Sequence, residues 1–338
     1  MISRAALRID VLDVGHGSAV VLRDDDRVVL IDTGPGVGIL AYLQEQGISV
    51  VDGVVVSHAD KDHTAGLLAM LNNSIRVNHI FVNPDALKMS KQWDELVFAI
   101  EDAESRFGQM LQSQLGAGHD VPFSESVDIR ALAPRTSLRL HGPGSRDSAG
   151  RRITSNSMSV VLRIDVAGEP IMLLPGDLDD VGFDQLVATG ASLAAKCLVL
   201  SHHGGLMGTV SATARCVEAL CLAVSPERVF VSNGRGGAYD NPRPDVIRAV
   251  RSVIPRAHIA CSQLSMKCLP SDPPMRAPGT PYAVGASKNF RCAGSTTMFV
   301  DAEGLIGVDL APHRAFVSLN VPDGLCVSGS LMVQATGA

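Results

Sequence analysis

The chain has 338 residues, of which 46% are hydrophobic and 19% are charged, and its formal net charge is −6. This length and apolar content indicate a compact protein with one large domain or two modest ones. The acidic balance argues against tight, nonspecific DNA binding through overall charge, so a nucleic-acid ligand would need a local basic cluster or metal ions.

Three further features concern location. No uninterrupted run of about 18 apolar residues suggests a transmembrane span, and residues 1–10 lack the apolar core of a signal peptide. The seven cysteines are an odd number, which favours reduced thiols in the cytoplasm. We therefore expect a cytoplasmic protein without a membrane span.

The first predicted elements are short strands that end on an acid. Residues 7–14 alternate in polarity, residues 19–22 resume after a glycine-rich turn, and residues 28–31 end at Asp32. Asp32 could hydrogen-bond a metal-binding imidazole from behind, or it could cap its own turn. His16, in the glycine-rich turn, is interpreted as a residue at the edge of a pocket.

The densest group of metal-binding side chains follows. Residues 50–56 form a β-branched run typical of a buried strand, and residues 64–71 have the period of an amphipathic helix. The turn between them contains His58, Asp60, Asp62 and His63. Imidazole and carboxylate together suit zinc, manganese or iron, and adjacent carboxylates can neutralise a second divalent ion. We predict a metal site here, the alternative being a solvated acidic turn.

Helical periodicity covers residues 85–115, and a polar loop at 135–153 follows a predicted strand at 127–132. The loop is the clearest basic cluster in the chain. Its arginines are Arg135, Arg139, Arg146, Arg151 and Arg152. Such a loop over a metal site could clamp a phosphodiester backbone, or it could simply be solvated.

Four later predicted strands also carry polar side chains in or beside them. These residues are Asn156, Ser159, Asp177, His202, His203, Asn233 and Asn241. One of the two adjacent histidines could complete a metal shell while the other donates a proton or holds a phosphate oxygen. The sequence does not decide which histidine has which role.

Taken in order, these motifs resemble those of the metallo-β-lactamase superfamily. Residues 58–63 are similar to its H-x-H-x-D-H signature, and Asp60 makes them closer to the H-x-D-x-D-H form of the hydrolase domain of ComEC-type DNA-uptake proteins. A segment similar to D-T-G precedes this stretch at residues 32–34, and segments similar to N-x-x-S, L-L-x-G-D and H-H-G follow it, all in the family's order within residues 8–262. The chain departs from the family at Asn241, where a histidine is usual.

The resemblance implies a four-layer αββα sandwich with its site on loops at one edge. Because no membrane span is predicted, we expect a stand-alone soluble relative of the ComEC-type proteins. The resemblance also implies two divalent metal ions, zinc or manganese, and places Asp177 at the bridging position. The implied metal ligands are His58, Asp60, Asp62, His63, Asp177, His202 and His203. Asp62 and His203 would act in catalysis and Asp32 would support a ligand. The implied substrate pocket contains Asn156, Ser159, Asn233 and Asn241.

Our first hypothesis is a metal-dependent hydrolase, a phosphodiesterase or nuclease acting on DNA or a nucleotide. A hydroxide activated by two metals would attack phosphorus, with Asp62 orienting or deprotonating the water and His203 balancing charge. One alternative is a lactone, thioester or amide hydrolase at the same centre. Another is a non-catalytic sensor or binding module with a degenerate site, which is suggested by Asn241.

We place a hydrolase domain at residues 1–262 and a cysteine-containing extension at 263–338 that completes or flanks the second sheet. Residues 295–333 alternate strand-like segments with turns, and residues after Met332 are expected to be frayed. A structural zinc site could use His258, Cys261, Cys268 and Cys292. The alternatives are reduced thiols and a disulfide.

Overall fold

The computed structural model describes residues 7–73, 75–83, 85, 88–108, 110–236, 239–275 and 283–327. The strands in these ranges are β1 (Leu7–Val11), β2 (Val20–Asp24), β3 (Arg27–Ile31), β4 (Val50–Val55), β5 (Arg76–Val82), β6 (Leu111–Ser113), β7 (His119–Val121), β8 (Val127–Ala133), β9 (Val161–Val166), β10 (Glu169–Leu174), β11 (Cys197–Val199), β12 (Arg228–Val231), β13 (His258–Cys261), β14 (Thr296–Val300) and β15 (Ile306–Gly307). The helices are α1 (Gly38–Glu45), α2 (Lys61–Asn72), α3 (Lys91–Phe107), α4 (Thr136–His141), α5 (Asp180–Val187), α6 (Val210–Val224), α7 (Pro244–Val253), α8 (Val284–Ser287) and α9 (Ala311–Asn320).

The strands form two sheets. Within the described ranges, the first sheet has eight strands in the order β15-β14-β1-β2-β3-β4-β5-β6, and the second has seven in the order β13-β12-β11-β10-β9-β8-β7. Strands β3 to β6 are parallel to one another, and so are β10 to β13. In each sheet, the parallel strands therefore bring their carboxyl ends to one edge.

An apolar layer fills the space between the sheets. Val20 and Leu22 of β2 face this layer, and Leu162 and Ile164 of β9 meet them from the second sheet. The intervening Val21 belongs to a different cluster, on the outer face of the first sheet. Because both faces of these strands are buried, their sequences are nearly continuous apolar runs.

Helices cover the two outer faces. Helices α1, α2 and α3 pack on the first sheet, through residues such as Tyr42 and Leu67. Helices α5, α6, α7 and α9 pack on the second sheet, through residues such as Leu220 and Val250. The predicted αββα sandwich is confirmed. None of the helices in the described ranges combines the length and apolar character needed to cross a membrane.

The C-terminal extension contacts both sheets, and its strands join the first sheet rather than completing the second. Strand β14 pairs antiparallel with β1, with Met298 opposite Ile9, so it extends the first sheet. This pairing covers the backbone groups of β1, which would otherwise form an exposed edge, and buries Met298 between the sheets. The extension flanks the second sheet through a helix instead, because Phe316 of α9 packs there. Residues after Met332 lie outside the described ranges.

Helix α2 lies against the backbone that follows β3, and Gly66 makes this close approach feasible. A Cβ atom at Gly66 would lie 2.1 Å from the carbonyl oxygen of Thr33 and 2.8 Å from Ile39 Cγ2. We expect Gly66→Ala to lower the free energy of unfolding by about 1–3 kcal/mol, although alanine favours a helix over glycine by about 1 kcal/mol. Urea denaturation measures the change.

A matched control is Gly36→Ala, because a Cβ atom there would meet nothing within 4 Å. We expect this variant to unfold at the wild-type urea concentration. If Gly66→Ala were as stable as Gly36→Ala, the close contact between α2 and the strand end would not constrain the fold.

Candidate metal centre

Strand ends from both sheets meet at one edge of the sandwich. In the first sheet, Asp32 follows β3, and His58 follows β4 just before α2. In the second sheet, Asp177 follows β10 and His203 follows β11. These are carboxyl ends of parallel strands, which explains why side chains far apart in sequence lie close together.

One group of side chains converges tightly. Ligand atoms of Asp62, His63, Asp177 and His203 all lie within 4.8 Å of one another, and no second group of this kind occurs among the described residues. His63 Nε2 and His203 Nε2 lie 3.3 and 3.4 Å from Asp177 Oδ1. His203 Nε2 also lies 3.3 Å from Asp62 Oδ2. Two imidazoles and two carboxylates therefore surround one small volume.

The other carboxylate oxygen of Asp177 faces a different set. His202 Nε2 lies 3.7 Å from Asp177 Oδ2, and His58 Nε2 lies 3.9 Å from the same atom. Asp60 Oδ2 lies 3.8 Å from His58 Nε2. The structure thus separates the two adjacent histidines, since His203 points to Oδ1 and the partly exposed His202 to Oδ2 of the same acid.

Three imidazoles are anchored through Nδ1 and present Nε2 to the centre. Their Nδ1 partners are Asp32 Oδ2 for His63 at 2.7 Å, the Ser232 carbonyl for His203 at 2.8 Å, and Ser57 Oγ for His58 at 3.1 Å. The hydroxyl of Ser57 donates its hydrogen to Asp32, so its oxygen accepts from His58. In each ring the Nδ1 atom carries a hydrogen, which leaves Nε2 as the ligating atom.

The charges around these atoms are those of a cation site. Burial lowers the pKa of His203, but the carboxylates of Asp177 and Asp62 raise it to about 9. Burial likewise lowers the pKa of His63, but Asp32 and Asp177 hold it well above its usual range. Burial raises the pKa of Asp177, yet His203 and His63 hold it well below the usual value. A bound cation would displace these protons, because a ligating imidazole nitrogen must be unprotonated.

The buried nitrogens provide a test of whether a metal fits. Among the described residues, the Nε2 atoms of His58, His63 and His203 are buried without a hydrogen-bond partner. Such orphaned atoms are costly unless something coordinates them. The donor set therefore fits divalent cations, and Asp32 accepts a hydrogen bond from the far side of the His63 ring, where a supporting acid would lie.

The backbone at the centre is unusual. His202 and His203 have φ angles of 52° and 55°, and Asp32 has a φ of 57°. This left-handed conformation costs roughly 1–2 kcal/mol for a residue with a Cβ atom. Residues held in this way concentrate at functional sites, where the surrounding contacts compensate the strain.

Sequence reasoning missed Lys88, which forms an ion pair with Asp60. Burial raises the pKa of Asp60, but contacts with His58 and Lys88 bring it far below its usual value. Lys88 lies between β5 and α3, 28 residues from Asp60. No motif or spacing could have linked the two residues, because only the fold brings this segment to the edge.

The residues predicted to contact substrate fall into different environments. Asn241 lines an open cleft at the centre, together with Asp62 and His202. Asn156 is half-buried and Ser159 is buried, and their roles stay predictions. Asn233 needs a correction. It is fully buried, and its amide donates to the carbonyls of Asn241 and Gln263. We therefore assign Asn233 to holding the loop of Asn241.

The arginines of the basic loop at residues 135–153 are less available for contact with a substrate than the sequence suggested. Residues 136–141 form helix α4, and Arg151 is paired with Asp147 at 2.9 Å and Asp184 at 2.6 Å. Of the described residues that line the cleft, none belongs to positions 135–153. A direct clamp on substrate by Arg151 is therefore not favoured.

The predicted structural zinc site does not assemble. His258 Nε2 lies 3.0 Å from His313 Nδ1, and the other nitrogen of His313 lies 3.4 Å from Cys292 Sγ. Cys261 and Cys268 do not join these atoms in a group of metal-ligand geometry within the described ranges. Burial raises the pKa of the Cys261 thiol well above its usual value, which disfavours the thiolate that zinc requires. None of the seven cysteines, all of which lie in the described ranges, forms a disulfide bond.

Comparison with known sequences agrees with this geometry. A sequence model described as the metallo-beta-lactamase superfamily matches residues 12–177. Residues 12–177 therefore form a domain of this superfamily of metal-dependent hydrolases, whose fold implies divalent metal ions, usually zinc. The predicted resemblance is confirmed.

Among curated proteins, the chain is similar to competence protein ComA of Neisseria gonorrhoeae, with 30% identity over 249 residues, which are 72% of this chain and 29% of that protein. It is 24% identical to recombination protein 2 of Haemophilus influenzae over 73% of this chain and 26% of that protein. It is also 20% identical to ComE operon protein 3 of Bacillus subtilis over 72% of this chain and 30% of that protein. The chain thus matches less than a third of the length of each relative.

Solved structures with similar folds include the metallo-beta-lactamase fold protein YhfI of Bacillus subtilis, with a TM-score of 0.45 and 9% identity over 76% of this chain and 98% of YhfI. The metal-dependent hydrolase Tm1679 has a TM-score of 0.45 and 16% identity over 75% of this chain and 95% of Tm1679.

Proposed function

We propose that the chain is a phosphodiesterase or nuclease that acts on DNA or a nucleotide at a centre for two divalent cations, zinc or manganese. The observation that carries this proposal is the position of Asp177. Its two carboxylate oxygens face two different sets of imidazoles, at 3.3–3.4 Å and at 3.7–3.9 Å. One bridging carboxylate between two ligand sets is the arrangement of a two-metal site.

The residues that would hold the cations divide into two sets. Asp62, His63 and His203 would hold one cation, and His58, Asp60 and His202 the other, with Asp177 shared. Bound there, two cations would supply Lewis-acid stabilisation and lower the pKa of a water molecule. A pair of cations suits phosphodiesters, because both the attacking and the leaving oxygen carry charge.

The chain's own residues supply the remaining functions. The Asp62 side chain is 23% exposed at the cleft and, although burial raises its pKa, His203 and His63 lower it to about 2. Asp62 is therefore ionised and can orient a water through its carboxylate. The hydrogen bond from His203 Nδ1 to the Ser232 carbonyl fixes the ring. A ring held in this way can balance charge without reorganising during the reaction.

The DNA substrate is supported by similarity to proteins named for competence and recombination. The test combines metal analysis of the purified protein with cleavage assays on a nitrophenyl phosphodiester, a lactone panel, and linear, circular and single-stranded DNA. We expect about two equivalents of divalent metal and phosphodiester cleavage. Turnover of lactones alone would favour the alternative hydrolase. Negligible metal and no turnover with added Mn²⁺ would favour a sensor.

A further inference from the structure

An aromatic stack connects the candidate metal centre to solvent. The ring of Tyr239 lies 4.9 Å from that of His16, with an interplanar angle of 14°. His16 in turn lies 4.7 Å from the ring of His203, and its Nε2 lies 3.5 Å from Asp62 Oδ2. The His16 ring therefore lies between Tyr239 and two residues of the centre, His203 and Asp62, and it packs against one face of the Tyr239 ring.

Tyr239 is 70% exposed, so stacking on His16 leaves much of its surface open to the cleft. An exposed tyrosine ring offers a ligand an apolar face together with a polar hydroxyl group. The cleft has a volume of about 750 Å³, and Tyr239 lines it together with Asp62, Asp177 and His202. A ligand that reaches the centre therefore passes beside this ring.

The rest of the cleft wall matches a nucleotide. Pro35 and Leu206 add apolar surface, and Lys61 adds a positive charge. Lys61 is exposed at the start of α2, where it could pair with a phosphate next to the one that is cleaved. Three features thus line one cleft, and each suits one part of a nucleic acid. The Tyr239 ring suits a base, Lys61 suits a flanking phosphate, and the candidate metal centre suits the scissile phosphate.

We propose that Tyr239, supported by His16, is the stacking platform for the nucleobase next to the scissile phosphate. This inference rests on the proposed phosphodiester substrate, and it adds that the protein recognises a nucleobase of that substrate. Because every base has a π face, stacking tolerates all sequences. The platform therefore selects substrates that carry a base over phosphodiesters that do not, and it discriminates little among the four bases.

The test measures binding separately from cleavage. The probe is single-stranded phosphorothioate DNA, which resists hydrolysis, with one 2-aminopurine whose fluorescence is quenched by stacking. A matched strand with abasic sites competes for binding. We expect Tyr239→Ala to bind the base-bearing strand about 5- to 150-fold more weakly, which is the range for one stacked base. The loss of affinity that Tyr239→Ala shows for the abasic strand should be several-fold smaller. Tyr239→Phe keeps the aromatic ring and should therefore quench 2-aminopurine fluorescence as the wild type does.

The matched control is Phe98→Ala, which removes an aromatic ring of nearly equal exposure, 68%, from helix α3. It should bind both strands as the wild type does. Equal losses by Tyr239→Ala for base-bearing and abasic DNA would overturn the platform, and so would a wild-type protein with no preference between the two. Tyr239-dependent binding without cleavage of ordinary phosphodiester DNA would support the platform and contradict the proposed nuclease activity.

Discussion

Replacing Asp62 by alanine is expected to reduce kcat/KM for a phosphodiester by about 10³-fold or more, with little loss of stability. Asp62 Oδ2 lies 3.3 Å from His203 Nε2, within the tight group around Asp177 Oδ1. In the proposed mechanism, its removal takes away both a cation ligand and the carboxylate that orients water. Losing one preorganised electrostatic group commonly costs a factor of about 10²–10³, and the loss of a ligand adds to this.

The fold should tolerate this change. Asp62 lies in the first turn of α2 and is partly exposed, so it contributes about 0.3–1 kcal/mol through the helix dipole. Burial and repulsion from Asp177 offset part of the attraction to His203 and His63 that lowers the pKa of Asp62. We expect urea denaturation of Asp62→Ala to differ from the wild type by about 1 kcal/mol or less.

Asp94→Ala provides the matched control. Asp94 lies in the first turn of α3 and is exposed, so its removal has the same effect on a helix end without touching the centre. Asp94→Ala should keep full activity and lose as little stability as Asp62→Ala. Wild-type activity in Asp62→Ala would refute the assignment of Asp62, and equal inactivation of both variants would point to a general effect on the fold.

Much of the fold could be predicted because apolar strands and their polar ends are local features of the sequence. The run before His58 and the run before Asp177 each identify a buried strand and the acid or imidazole that follows it. Parallel strands then bring such ends together with few alternatives. The sequence did not predict which strand pairs with β14, because that choice depends on residues far away in the chain. The five residues of β14 alternate correctly, but nothing in them specifies β1, far away in the chain, as the neighbour.

Side-chain roles were harder to predict because a residue type does not determine its burial. Asn233 follows a strand end like Asp177 does, yet it is fully buried and its amide holds backbone carbonyls. His258 and Cys292 are both close to His313, a residue that the cysteine spacing could not identify. Sequence reasoning had no basis for selecting Tyr239, because its stacking on His16 depends on the fold.

Asp32→Asn is expected to weaken divalent-metal binding by about 10- to 100-fold, the usual effect of losing a partner behind a ligating histidine. Asp32 Oδ1 accepts the backbone N–H of Ser57 at 2.8 Å, and Oδ2 accepts from the Ser57 hydroxyl and from His63 Nδ1 at 2.9 and 2.7 Å. An asparagine that keeps its oxygen toward the backbone must turn its NH₂ group toward His63. The ring then has to accept at Nδ1 and carry its hydrogen on Nε2, which blocks coordination.

Asparagine tolerates the left-handed backbone at position 32, so strain is not the main effect of this substitution. Mispaired hydrogen bonds should still cost about 1–3 kcal/mol of stability. Asp10→Asn makes the same chemical change at a buried acid of the first sheet that accepts from Tyr42 at 2.6 Å. Calorimetric metal titration should therefore distinguish two variants of similar stability, with weakened binding in Asp32→Asn alone. If both variants bound metal as the wild type does, the hydrogen bond from His63 to Asp32 would not control the ligating nitrogen.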